Sequence, residues 1–148
     1  MKRLISTICA TVFGMALLFA QGKAEITFNE TRHNFGVFSE NEPVVTHVFK
    51  FKNTGDEALI IHQAVASCGC TVPKYTKTPI KPGKTGEISV TYNGAGRFPG
   101  KFRKTITVHS NAENKTVRLY IAGEMTPKDL DLQKAMEETT KQMENANK

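Results

Sequence analysis

The chain has 148 residues, 39% of them hydrophobic and 23% charged, with a formal net charge of +6. That length holds one domain of ordinary size with short flanking segments. Lys2, Arg3 and Lys23 lie at the amino end, and setting their three charges aside leaves +3; so small an excess gives no argument for nucleic-acid binding, which usually needs a dense basic stripe.

The amino end reads as an address label. Lys2 and Arg3 precede an apolar run from Leu4 to Ala20, and small residues offer cleavage points after Ala20, Gly22 or Ala24. This is the three-part layout of a secretory signal peptide. A membrane anchor is the competing expectation, but the run is marginal for roughly 30 Å of hydrocarbon. Residues 1–24 are therefore expected to be removed. The product would be periplasmic or secreted, with no stable membrane span. Cys9 lies before most of the apolar run, which argues against a lipid-anchored cysteine.

Residues 25–125 read as β throughout. Ile26-Thr27-Phe28 alternates, and Phe35-Gly36-Val37-Phe38 is a short apolar run after a turn-prone Arg-His-Asn. Val44 to Lys52 is the clearest strand, with Val45, His47, Phe49 and Phe51 on one face. Asn53-Thr54-Gly55-Asp56 turns the chain, with glycine where positive φ is cheap. Leu59, Ile61 and Val65 form the next apolar face, and Pro79 to Lys84 is another turn. Ile88, Val90 and Tyr92 alternate with polar residues. Arg97 to Lys104 is expected to be a solvated hairpin rim with Phe98 and Phe102 partly buried. Ile106 and Val108, then Val117, Leu119 and Ile121, complete the set.

About seven short strands at regular spacing, without a sustained helical period, predict an immunoglobulin-like sandwich of two antiparallel sheets. Residues 126–148 differ in kind. Pro127, the early Asp129 and Asp131, and the later Lys141 predict a helix. Its apolar stripe of Leu132, Met136 and Met143 is thin.

Chemistry rests on Cys68-Gly69-Cys70. Once Cys9 is removed, these two are an even pair in an oxidising compartment, which fits a disulfide. So small a loop is a poor staple, and thiol exchange is an alternative. Soft-metal capture of Cu or Zn is another, but two cysteines are half a tetrahedral site. A third ligand would have to come from His47, His62, His109 or a partner. His47 sits on the core face, where a hydrogen-bonded structural histidine is the ordinary outcome. No serine sits in a nucleophile elbow, and Gly83-Lys84-Thr85-Gly86 lacks the spacing of a phosphate loop. No catalytic residue and no cofactor are expected.

In order and spacing, HNFGVF, VVTHVFKFKNTGDEALII, SCGCTVP, PIKPGKTGEISVTYN, GKFRKTITVHSN and LYIAGEM resemble the bacterial domain of unknown function 1573. The resemblance covers nearly all of Glu25 to Met125. It implies an immunoglobulin-like fold related to major sperm protein-like modules, and an exported protein of a kind common in the Bacteroidetes. It also implies that His47, Cys68, Gly69 and Cys70 belong to the family pattern. It assigns no activity. The expected function is a non-catalytic binding or scaffolding module of the cell envelope, with another envelope protein as partner. The alternative is a thiol redox or soft-metal protein acting through Cys68 and Cys70.

Overall fold

The computed structural model describes residues 22–146; most of the expected leader, Cys9 and the cleavage point after Ala20 lie outside the described residues. Strict alternation of apolar and polar side chains makes strands, because successive Cβ atoms point to opposite faces. Eight strands result: β1 (Ile26–Phe28), β2 (Arg32–Ser39), β3 (Val44–Asn53), β4 (Ile61–Ala66), β5 (Thr71–Tyr75), β6 (Thr85–Asn93), β7 (Gly100–Ser110) and β8 (Thr116–Thr126). A helix, α1 (Lys128–Ala146), follows.

The strands form two four-stranded sheets, in the orders β1-β3-β6-β5 and β2-β8-β7-β4. Their inner faces meet over Phe49, Phe51, Ile88, Val90, Ile106, Val108, Leu119 and Ile121, all of which are buried. Residues of β3, β6 and β8 that alternate in sequence are the ones that face inward. The sandwich expected from the sequence is therefore the architecture found. Its pairings are antiparallel except one: β2 runs parallel to β8, from Arg32 opposite Tyr120 to Ser39 opposite Thr126.

Buried Asn53 ties the end of β3 to its surroundings. Its Nδ2 donates to Glu57 O at 2.6 Å and Ile80 O at 2.8 Å, while its Oδ1 accepts from Gly55 N at 3.0 Å. Gly55 serves differently from the expectation of positive φ, which it does not adopt. A Cβ there would collide with Lys23 O and Glu25 N, so the glycine permits a close backbone approach.

Other details also depart from the expectation. Arg32-His33-Asn34 is strand, not turn. A register shift between Asn34 and Val37, with Gly36 at φ 71°, leaves Val37 exposed and turns Phe38 inward. A second shift between Ile61 and Gln63 turns Val65 outward, and Ala64 and Ala66 pack inward instead. The eighth strand is β5, which begins directly after the cysteine pair. Phe98 is 99% exposed rather than partly buried. Phe102 does face inward, its ring stacked on Tyr92 of the opposite sheet at 3.9 Å.

Helix α1 agrees with the expected helical tail. From Gln133 to Ala146 every residue is exposed, so this stretch buries nothing against the sandwich. No helix among the described residues is long and apolar enough to cross a membrane.

Candidate functional site

Three features of the sandwich are candidates for chemistry or recognition. They lie at different places because the two sheets meet at two open sides. On one side β1 and β3 face β2; on the other β5 faces β4.

The cysteine pair lies where the chain crosses from β4 to β5. Cys68 and Cys70 are joined as a disulfide, with Cα atoms 5.3 Å apart. Cys70 is buried and its carbonyl accepts from Asn93 N at 2.8 Å, while Cys68 is half-buried. Thr71 Oγ1 lies 3.5 Å from Cys68 Sγ and 3.8 Å from Cys70 Sγ. Bonded sulfurs offer no thiolate, so in this state the pair is no metal site. Of the two nearby lysines, Lys74 is exposed and Lys77 extends over the Tyr75 ring, 4.9 Å from its centroid.

His47 is not with the cysteines. It stands on β3, and β6 separates β3 from β5. Strands lie roughly 4.8 Å apart, so two spacings of about 10 Å divide them. Neither His62 nor His109 joins the cysteines either: among the described residues the one cluster of three or more metal-capable side chains is Glu30, His33 and His47. His109 instead bonds Thr116 across the β7–β8 ladder, Nδ1 to Oγ1 at 3.2 Å.

That cluster occupies the other open side. His47 points inward from β3, His33 inward from β2, and Glu30 comes from the short crossover between β1 and β2. The two rings stack at 3.5 Å with planes 8° apart. Phe35 meets His33 edge-on at 4.8 Å and Phe49 meets His47 edge-on at 4.7 Å. Glu30 Oε1 lies 2.9 Å from His47 Nε2. Burial, and then the neighbouring His47, lower the pKa of His33, while Glu30 raises it; the net direction is down. The sequence reading placed His47 correctly on the inner face but missed Glu30 and His33. The signal available was that His33 and Phe35 share strand parity.

The third feature is the free edge of β4. Ser67 N donates to Thr105 O at 2.9 Å, which fixes the hydrogen-bonding phase of the β4–β7 ladder. Antiparallel alternation then directs the backbone groups of Ala64 and Ala66 away from β7, to the open side. The strand contains no Lys, Arg, Asp, Glu or Pro, and Val65 is exposed on its outer face. The edge of β5 differs, because Pro73 interrupts it.

The model of the family described as protein of unknown function (DUF1573) matches residues 26–125. The chain belongs to that family. No curated protein matches the sequence. Among solved structures, a protein of unknown function from Porphyromonas gingivalis W83 is similar to this DUF1573 chain at a TM-score of 0.60 and 15% identity, over 75% of this chain. The match spans 51% of that protein, about half its length. The ASH / PapD-like domain 7 of human CEP192 is similar at 0.56 and 11% identity, over 71% of this chain and 87% of that one. The VesB protease of Vibrio cholerae is similar at 0.51 and 13% identity, over 70% of this chain and 31% of that one. At such identities the likeness is one of fold, shared with proteins of unlike activity.

Proposed function

We propose that this chain is an exported, non-catalytic binding module of the cell envelope that recruits a protein partner by strand addition at β4. The observation that carries this reading is the uncharged edge from Gln63 to Ala66, whose Ala64 and Ala66 backbone groups face outward, beyond His62, whose carbonyl accepts from Tyr75 Oη at 3.0 Å. An extended peptide laid there continues the sheet, with main-chain hydrogen bonds supplying affinity and side-chain pockets supplying selectivity. Natural edges are ordinarily guarded by charge, proline or a bulge. β5 carries such a guard and β4 lacks one between Gln63 and Ala66. Export rests on the leader-like residues 1–24, and the division into a sandwich of 25–125 and a tail of 126–148 is part of the same proposal.

Ala64→Pro tests it. The residue's N–H faces away from β7, so proline removes a donor from the free edge and none from the ladder. Pull-down from an envelope extract should lose its partner while the circular dichroism spectrum stays unchanged. Undiminished capture by a folded Ala64→Pro protein would refute the reading.

A second reading is thiol exchange, favoured by the half-buried Cys68 beside the more deeply buried Cys70. A partner thiolate would attack Cys68 Sγ, break the bond and release Cys70 Sγ as the leaving group. In a Cys70→Ser protein the Cys68 thiolate runs the reverse step, attacking a partner disulfide and releasing one partner thiolate, and the mixed disulfide persists because no Cys70 resolves it. Trapping that species from an oxidised envelope extract supports the reading, and its absence counts against it.

A further inference from the structure

The open side opposite the cysteines supports an inference independent of β4. Glu30, His33 and His47 converge from a crossover, a strand of one sheet and a strand of the other. Their ligand-capable atoms all lie within 4.8 Å of one another. We propose that Glu30, His33 and His47 form a binding site for a divalent transition-metal ion of the Zn2+ class, which pins the two sheets together along this side.

The donor set decides the class. Two imidazoles with one carboxylate suit Zn, Cu, Ni or Fe, whereas Ca2+ and Mg2+ require mainly oxygen. Spacing decides feasibility. A tetrahedral ion with bonds of roughly 2.0–2.2 Å holds its ligand atoms about 3.4 Å apart. The widest pair must therefore close by at most about 1.4 Å, the difference between that spacing and the 4.8 Å limit. Glu30 is exposed and its Oε1 already lies 2.9 Å from His47 Nε2, so that pair needs no closing. The rings must also move. Imidazole lone pairs lie in the ring plane, and an ion midway between planes 3.5 Å apart lies outside both. Binding therefore splays the stack, hinged on β2 and β3. Three protein ligands leave a fourth position for water or a partner group.

No backbone ladder joins β2 to β1 or β3, because β2 pairs with β8 and β3 with β1 and β6. A metal here would be a direct tie across that gap. Anything that binds the folded state alone raises its melting temperature by mass action. Cation binding and folding stability should therefore move together.

The experiment is Zn2+ titration of the chelator-stripped, disulfide-intact protein by calorimetry, with thermal melts at each Zn2+ concentration. One Zn2+ per chain and a rising melting temperature are expected. Glu30→Gln and His33→Ala should each weaken uptake by at least about 10-fold, the lower end of the loss seen when even outer-shell groups are removed. Cys68→Ser/Cys70→Ser and Ala64→Pro should bind Zn2+ as the unaltered protein does, which separates this site from both readings above. A melt of each variant in chelator checks that it is folded, and Glu30→Gln decides the matter if His33→Ala is not. No uptake by the unaltered protein, uptake that survives Glu30→Gln in folded protein, or uptake abolished by the cysteine substitutions would overturn the proposal.

Discussion

Pro73 of β5 lies opposite Val90 of β6, at a position whose backbone faces out of the sheet. The phase follows from two bonds, Asn93 N to Cys70 O at 2.8 Å and Thr76 N to Glu87 O at 3.1 Å. They assign the ladder to residues 70, 72, 74 and 76, so residue 73 points the other way. Proline there sacrifices no ladder bond and denies a donor to any incoming strand. Pro73→Thr should leave folded stability within about 1 kcal/mol. It should also introduce concentration-dependent self-association in sedimentation velocity. A strictly monomeric variant at high concentration would show that Pro73 is not the guard of this edge.

Asn53 is expected to be among the costliest positions to change. Asn53→Ala leaves the Ile80 carbonyl without its 2.8 Å amide donor and Gly55 N without its 3.0 Å acceptor. Ile80 O keeps its bond from Leu59 N at 2.9 Å, so Gly55 N is the group left unsatisfied. Such groups cost about 1–3 kcal/mol each, and a loss of about 1–3 kcal/mol in a urea melt is the expected outcome. A loss under 1 kcal/mol would mean that water replaces the side chain at this corner.

The disulfide should contribute little to stability. Its loop contains only Cys68, Gly69 and Cys70, and the loop-entropy relation gives at most about 2 kcal/mol for so small a ring. Cys68→Ser/Cys70→Ser should therefore remain folded, with a midpoint shift that fits that ceiling. Unfolding of the double variant at room temperature would contradict it and make the pair structural.

On the proposed export, cleavage should fall after Gly22, two residues short of the 1–24 span expected from the sequence. Signal cleavage favours small residues at the last and third-last positions of the leader. Cuts after Gly22 and after Ala24 both meet this, whereas a cut after Ala20 puts Leu18 at the third-last place. Structure separates the remaining two. Ala24 is buried, Lys23 O accepts from Asp56 N at 2.9 Å, and Lys23 Nζ reaches Glu113 Oε1 at 2.6 Å. A cut after Ala24 would discard all three contacts. Intact mass of exported protein should therefore begin at Lys23; a mass beginning at Glu25 would contradict this.

Legibility in the sequence followed the regularity of the strands. In β3, β6 and β8 the buried apolar residues keep one parity, Phe49 and Phe51, Ile88, Val90 and Tyr92, and Leu119 and Ile121, so these core positions can be named from spacing. Where a bulge inserts a residue, parity breaks. Val65 then points outward although the alternation assigns it inward, and Val37 of the short apolar run is exposed too. β5 was hidden because a Cys-Gly-Cys corner and Pro73 both read as turn, whereas proline on an outward-facing edge position is compatible with a strand. Phe98 is apolar yet exposed, since its loop offers no surface to cover it. The histidine cluster was least legible. His47 and Glu30 are 17 residues apart, and His33 joins them only because the chain changes sheets between β1 and β2.

The parallel pairing of β2 with β8 has a kinetic consequence. Thr126 Oγ1 donates to Phe38 O across 88 residues of sequence, so an early segment finds its only ladder neighbour near the end of the domain. Such non-local closure slows folding. A polypeptide that crosses a membrane amino end first must hold its leading segment unsatisfied until the last strand emerges. If the chain is exported as proposed, its assembly is deferred to the far compartment, and that interval is when its exposed strands are most open to capture by chaperones or by one another.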